Sequence, residues 1–180
     1  MNKKIIISLL IICILISVTG CGKSASNNDS STVESNNKKV STEFKFDNKT
    51  FNFNKDASFK GVKFKYDENL KKTEETKSVS LKYGENLKNV GYAFWVSITV
   101  YENRTKDDIF GMPKEGEYEI KKVNNISWMN YTKKVDWTTT IVYAIEKNNN
   151  VYIINVIKNN ETDVDVEQLA EVFINSVTID

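Results

Sequence analysis

From Phe44 onward, apolar side chains return at every second position, and a period of two is met only by extended backbone. In the segment Tyr92 to Tyr101, the residues Tyr92, Phe94, Val96, Ile98 and Val100 fall on one face and Trp95 on the other. Large apolar groups on both faces predict a central strand, covered on both sides, with Trp95 in the core. Val62, Phe64 and Tyr66 alternate with Lys63 and Lys65, the pattern of a half-buried strand with one wet face. Phe44 and Phe46, then Phe51 and Phe53, flank Asp47-Asn48-Lys49-Thr50 and predict a hairpin. Thr138 to Glu146 and Val151 to Ile157 predict a second hairpin around Lys147-Asn148-Asn149-Asn150. Ser78 to Tyr83, Glu117 to Val123 and Ile126 to Lys133 supply further strands.

The period changes only near the end. Val166, Leu169, Ala170, Phe173 and Ile174 recur at three and four residues, which marks one amphipathic helix. Thr162 or Asp163 is placed to cap it, and Asp165 and Glu167 suit its positive end. Ser176 to Ile179 reads as a short last strand. The expected class is therefore α+β: an antiparallel sheet with flanking helices, the C-terminal amphipathic helix covering at least one face, in a single domain spanning 44–180.

The chain ahead of that domain reads differently. Residues 22–43 hold almost no large apolar side chain and cannot bury enough surface to fold. About 20 such residues behave as a flexible tether spanning roughly 25 Å root-mean-square. Before it, Lys3 and Lys4 precede the apolar run Ile5 to Ile16. Twelve residues of helix reach roughly 18 Å, short of a hydrocarbon core of about 30 Å. A charged head, a short apolar run and small residues describe a secretory signal over 1–20. An uncleaved anchor extending to Val18 is the competing reading.

Val18-Thr19-Gly20-Cys21 resembles the lipobox of bacterial lipoproteins, with Val and Thr standing where Leu and Ala or Ser are more usual. The resemblance implies cleavage before Cys21 and a thioether-linked diacylglycerol on its sulfur, so that residues 21–43 form a lipidated cysteine and its tether. Two acyl chains supply the anchoring that one chain lacks, at about 0.8 kcal/mol per buried CH₂. It also implies a location on the outer face of a bacterial cell membrane.

A second resemblance covers the domain. Phe59-Lys60-Gly61-Val62-Lys63-Phe64-Lys65-Tyr66-Asp67-Glu68-Asn69-Leu70 looks like the opening strand of PsbP/Mog1-like domains, with Asp67 where Pro is usual and Leu70 where Trp is. The ending fits as well: Val151-Tyr152-Ile153-Ile154, a helix, then Phe173-Ile174-Asn175-Ser176-Val177. Small lipoproteins of Gram-positive bacteria often carry this domain. It implies an α/β/α sandwich from about Phe59 to Ile179 and no reaction, because better-known members are accessory or binding proteins.

Several chemistries are disfavoured by composition. There is no histidine, so the commonest base near neutral pH and the commonest imidazole ligand are missing. The two cysteines are Cys13, inside the leader, and Cys21, which leaves no free thiol after processing. Without Lys3 and Lys4 the chain carries 23 cationic against 24 acidic side chains, which gives no support for nucleic-acid binding. No phosphate loop, GxSxG or SxxK motif occurs, and no catalytic residue, cofactor or metal site is assigned. Glu161, Asp163, Asp165 and Glu167 invite a calcium reading, but no glycine provides the sharp turn of an EF-hand loop, and helix capping accounts for all four. Asp107 and Asp108 are adjacent, and neighbours in sequence rarely converge on one bond.

A ligand surface is assigned to Trp137, Phe110 and Arg104. Trp137 follows Asp136 and precedes a threonine run, so it is expected to be exposed. The segment Asn103 to Gly116 carries the only arginine and the only proline, with Ile109, Phe110 and Met112 among polar residues. The plainer reading makes it a connection whose apolar trio tucks against the sheet. The function expected is a non-catalytic binding or accessory module for a protein, wall polymer or small ligand. The alternatives are an immunity or inhibitor lipoprotein, or a carboxylate-based envelope hydrolase.

Overall fold

Two-residue turns set the register of this molecule. The computed structural model describes residues 41–85 and 91–180; the leader, Cys21 and the tether lie outside the described residues. Strand β1 (Glu43–Phe46) folds back as β2 (Lys49–Asn52), and β3 (Lys55–Phe59) folds back as β4 (Val62–Tyr66). Later, β8 (Glu119–Val123) pairs with β9 (Ile126–Lys134), and β10 (Thr138–Lys147) with β11 (Asn150–Asn159). All four connections are two residues long with positive φ at both: Asp47-Asn48, Lys60-Gly61, Asn124-Asn125 and Asn148-Asn149. That is the turn whose twist matches the twist of the flanking strands, and it favours Asn, Asp and Gly because they reach left-handed backbone most cheaply. The abundance of asparagine is partly a requirement of these turns.

The remaining elements are β5 (Lys71–Glu74), β6 (Ser78–Tyr83), β7 (Phe94–Glu102), α1 (Val166–Ile174) and β12 (Thr178–Ile179), with one 3-10 turn at Lys106–Asp108. The strands form a seven-stranded antiparallel sheet in the order β5-β6-β7-β11-β10-β9-β8, a three-stranded sheet β12-β4-β3, and the β1-β2 hairpin. The core lies on one face of the large sheet. There Val79, Leu81, Phe94, Val96, Ile98, Ile154 and Val156 meet Leu169 and Phe173 of α1, and Phe44, Phe51 and Phe53 of the hairpin. Phe94 stands edge-on to Phe44, Phe46 and Phe51, with centroids 5.4–6.0 Å away. Phe44, Phe51 and Phe94 are fully buried, and each contributes about 1.5–3 kcal/mol from burial alone. They fasten the first hairpin to the sheet.

The expected fold class does not hold. Among the described residues strands make up 55% and helix 9%, with a single α-helix, so the protein is mostly β rather than α+β or an α/β/α sandwich. The reason is visible on the outer face of the large sheet, where Ser80, Ser97, Thr99 and Asn155 stand among apolar residues such as Trp95, Ile153 and Ile157, and where residues 103–118 cross as an irregular segment. Such a face needs no second helical layer. Trp95 follows from the same fact: it is half-buried on this face rather than in the core, in contact with Tyr92 at 6.4 Å. The segment Phe59 to Leu70 is likewise no single opening strand, because Lys60-Gly61 turns inside it and β4 ends at Tyr66.

Asp67, where the resemblance expected proline, has its own task. It is 4% exposed, and its Oδ1 accepts from the Asn69 backbone N–H and side-chain amide at 2.8 Å each, while Oδ2 accepts from the backbone N–H of Asn52. One carboxylate thus closes the β4-β5 turn and ties it to β2. The helix cap differs from expectation too. Asp165 accepts from Glu167 N and Gln168 N, whereas the Thr162 hydroxyl donates to the Asn159 carbonyl at 2.7 Å. An N-cap must reach the second and third helical N–H groups, and only Asp165 stands directly before Val166.

Candidate functional site

Strand β7 ends at Glu102 and β8 begins at Glu119, on the far side of β11, β10 and β9. Residues 103–118 must therefore cross three strands, and they do so over the outer face. The Lys106 N–H donates to Glu146 Oε2 at 2.9 Å, and Lys133 Nζ donates to the Gly111 carbonyl at 3.2 Å. Glu146 and Lys133 alternate with the core residues of β10 and β9, which puts both on the face away from α1. On that face Met129, Val142, Ala144 and Val151 are buried as a second small apolar patch, apart from the main core.

This strap is pinned at its start. The Arg104 N–H donates to the Asn149 carbonyl at 2.9 Å, and Asn103 N–H to Asn150 Oδ1 at 3.1 Å. Asp108 accepts from the backbone N–H and hydroxyl of Thr105, both at 2.9 Å, and those two bonds hold its carboxyl below the usual range. Asp108 is thereby committed to its own turn and forms no acid pair with Asp107. The apolar trio divides. Ile109 and Met112 are half-buried, but Phe110 is 104% exposed rather than tucked against the sheet. It precedes Gly111, whose carbonyl accepts from the Lys133 side chain of β9.

At the other end of β9 the chain turns through Val135-Asp136-Trp137 into β10. Val135 is 62% exposed and Trp137 52%, as the position of Trp137 in the sequence suggested. Asn160 braces this turn: its backbone N–H donates to the Trp137 carbonyl at 2.9 Å, and its side-chain amide to the carbonyls of Val135 at 2.9 Å and Asp136 at 3.2 Å. Its Oδ1 accepts from the Thr139 hydroxyl at 2.8 Å. Three successive carbonyls are satisfied by one residue from another strand end, so the two apolar side chains stand on a rigid base. Sequence reasoning missed Asn160, Val135 and Ile120; the last is 63% exposed on β8 opposite Met129. No local pattern could have found Asn160, whose role depends on β11 ending beside the β9-β10 turn.

Phe110, Ile120, Val135 and Trp137 are the exposed large apolar residues among those described: Ile120 is on β8, Val135 and Trp137 are in the β9-β10 turn, and Phe110 is in the strap, next to the Gly111 that Lys133 of β9 holds. Arg104 lies elsewhere. It sits by the β10-β11 turn, whereas Trp137 sits at the start of β10, and ten residues of strand separate those ends by roughly 33 Å. The structure leaves Arg104 apart from Trp137.

A recess of about 540 Å³ lies over the small sheet between Asp56, Lys63, Lys65 and Ser176. Its polar groups are occupied. Lys63 pairs with Asp180 at 2.6 Å, Lys65 approaches Asp56 at 3.8 Å, and Ser176 Oγ donates to the Phe173 carbonyl at 2.7 Å while accepting from Lys65 N at 3.1 Å. Among the described residues no group of three metal-binding side chains converges. The carboxyls that shift, Glu85 beside Lys71 and Asp108 beside Thr105, both shift downward, the opposite of what a general acid needs. Tyr143 shifts upward through burial, opposed by Lys121, whose Nζ lies 3.4 Å from its hydroxyl.

No family model matches the chain, and no curated protein matches it. Among solved structures, a crystal structure of a protein from Bacteroides thetaiotaomicron is similar in part, with TM-score 0.48 and 10% identity. The aligned part covers 67% of this chain and 45% of that one, so this chain spans less than half of that protein's length.

Proposed function

We propose that this chain is a membrane-anchored extracytoplasmic lipoprotein whose β domain is a non-catalytic binding or accessory module for an envelope protein or wall polymer. The address rests on Val18-Thr19-Gly20-Cys21 after a short apolar run, followed by a polar stretch of tether length. The absence of histidine and the near balance of charge favour binding over hydrolysis and over nucleic acid.

The observation that carries the binding role is that the exposed large apolar residues among those described, Phe110, Ile120, Val135 and Trp137, stand on β8, on the turn after β9 and on the strap held by β9, two of them on a braced turn and one on a pinned strap. Exposed apolar groups held by a rigid frame are what an interaction surface requires. Two measurements test the reading. Cys21→Ser should remain unprocessed and lose acylation in labelled cells; normal maturation and membrane retention would end the lipoprotein assignment. A photo-crosslinking amino acid at Phe110 should capture a defined envelope component in intact cells, and no product there, or turnover of wall substrates by the purified chain, would end the binding assignment.

A further inference from the structure

We infer that the β8-β9 flank takes an extended polypeptide segment, added as a new strand on the free end of β9. The inference rests on the binding-module reading and supplies the chemistry of its partner.

The register leads to this. β8 pairs with β9 only from Val123↔Ile126 to Glu119↔Asn130, while β9 continues to Lys134. On its other side β9 stays paired with β10 through Thr139↔Lys134. Val135 and Thr138 exchange hydrogen bonds in both directions, at 3.0 and 3.2 Å, so Val135 points its backbone groups toward β10. In an antiparallel ladder that orientation alternates. Lys134 and Thr132 therefore direct their N–H and C=O groups away from β10, along the side where β8 has stopped. Four backbone groups stand in a row there, on exposed residues, over roughly 10 Å of strand. An unpaired strand end of this kind is a template for another strand.

Its surroundings suit a peptide. Where β8 begins, a recess of about 380 Å³ opens between Tyr118, Glu117, Tyr131 and Thr132. Val135, directly after Lys134, and Trp137 stand exposed at the far end of the row. Lys133 is engaged with the Gly111 carbonyl and lies over the Tyr131 ring at 5.3 Å, whereas Lys134 makes no ion pair among the described residues. The segment that fits is extended and mainly apolar, with a carboxylate opposite Lys134. A second copy of this chain fits poorly. Pairing the same row antiparallel about its centre would set Lys133 directly against Lys133, and like charges in that position repel.

The test uses the full-length chain in detergent and, as probe, the blocked peptide acetyl-Val-Thr-Val-Glu-Val-Thr-amide, with hydrogen exchange read at single amides. Saturating peptide should slow exchange at Thr132 and Lys134 by at least about tenfold. Lys134→Glu should weaken binding about tenfold. Thr132→Pro removes only an outward-facing N–H, which an edge tolerates, so its melting temperature should stay close to wild type while peptide binding is lost. Unchanged exchange at millimolar peptide, or equal binding by Thr132→Pro, would overturn the inference. Protection that depends on protein concentration instead would assign the edge to a second copy, and protection by wall glycan fragments but not peptide would assign it to a polymer; either outcome defeats the inference. Capture through Phe110 that survives Thr132→Pro would sink strand addition and leave the binding module standing, whereas no capture by either chain sinks both.

Discussion

Asp67 offers a sharp test of how a local turn and a remote strand are held together. Its carboxylate is 4% exposed and serves three donors, two from Asn69 and one from the Asn52 backbone fifteen positions earlier. Asp67→Ala leaves both backbone N–H groups without their acceptor in a part-buried place. Hydrogen bonds to charged groups are worth about 1.5–3 kcal/mol each, so the loss should be about 3–5 kcal/mol. Asp67→Asn keeps the volume and one carbonyl acceptor but loses the charge and the second acceptor. Its cost should be about 1–2 kcal/mol. At roughly 3 °C per kcal/mol for a domain of this size, the expected falls are about 10–15 °C and about 3–6 °C. Thermal unfolding followed by circular dichroism, on the same full-length background, measures both. If the Ala and Asn variants melt within about 1 °C of each other, shape rather than hydrogen bonding holds this corner and the assignment is wrong.

Other consequences can be measured alongside. Asp165→Ala should destabilise by about 1 kcal/mol while Asp163→Ala should be nearly neutral, since only Asp165 caps α1; equal losses in a denaturant titration would contradict that. Phe173→Ala, which empties the junction between α1, Phe53 and Phe64, should cost about 3–5 kcal/mol in the same titration. Gly84→Ala should destabilise measurably, because its φ of +75° disfavours a side chain and the new Cβ would lie 2.9 Å from that of Ala93. Burial raises Tyr143 and Tyr131 above 10.0, so the folded state binds their protons more tightly than the unfolded chain does. Their contribution is therefore complete below the ordinary tyrosine value and is lost as pH climbs through the raised one. Unfolding free energy should decline as pH rises above about 10, with absorbance titration showing late-ionising tyrosines.

Local chemistry determined a good deal by itself. The alternation of Val62, Phe64 and Tyr66, or of Phe94, Val96, Ile98 and Val100, names which side chains are buried, because side chains on extended backbone point to opposite faces in turn. The hairpins around Asp47-Asn48 and Asn148-Asn149, the helix of Val166 to Ile174, and the exposure of Trp137 all follow from patterns a few residues long. β3 and β5 escaped notice because Lys55–Phe59 and Lys71–Glu74 carry too few apolar residues to show a period, and their strand character comes from the neighbours that pair with them.

What only the tertiary structure decided is how many layers the sheet has and where its surface is sticky. Trp95 on the second face suggested a covered strand, yet whether a face is covered depends on every strand beside it, and here serine, threonine and asparagine share that face under a crossing strap. The flank that carries Val135 and Trp137 arises because β9 is longer than β8 and because β11 delivers Asn160 to the turn between β9 and β10. Those are facts of register between segments distant in the chain. A strand's own residues say which face is apolar; its partners fix where its edge is left open.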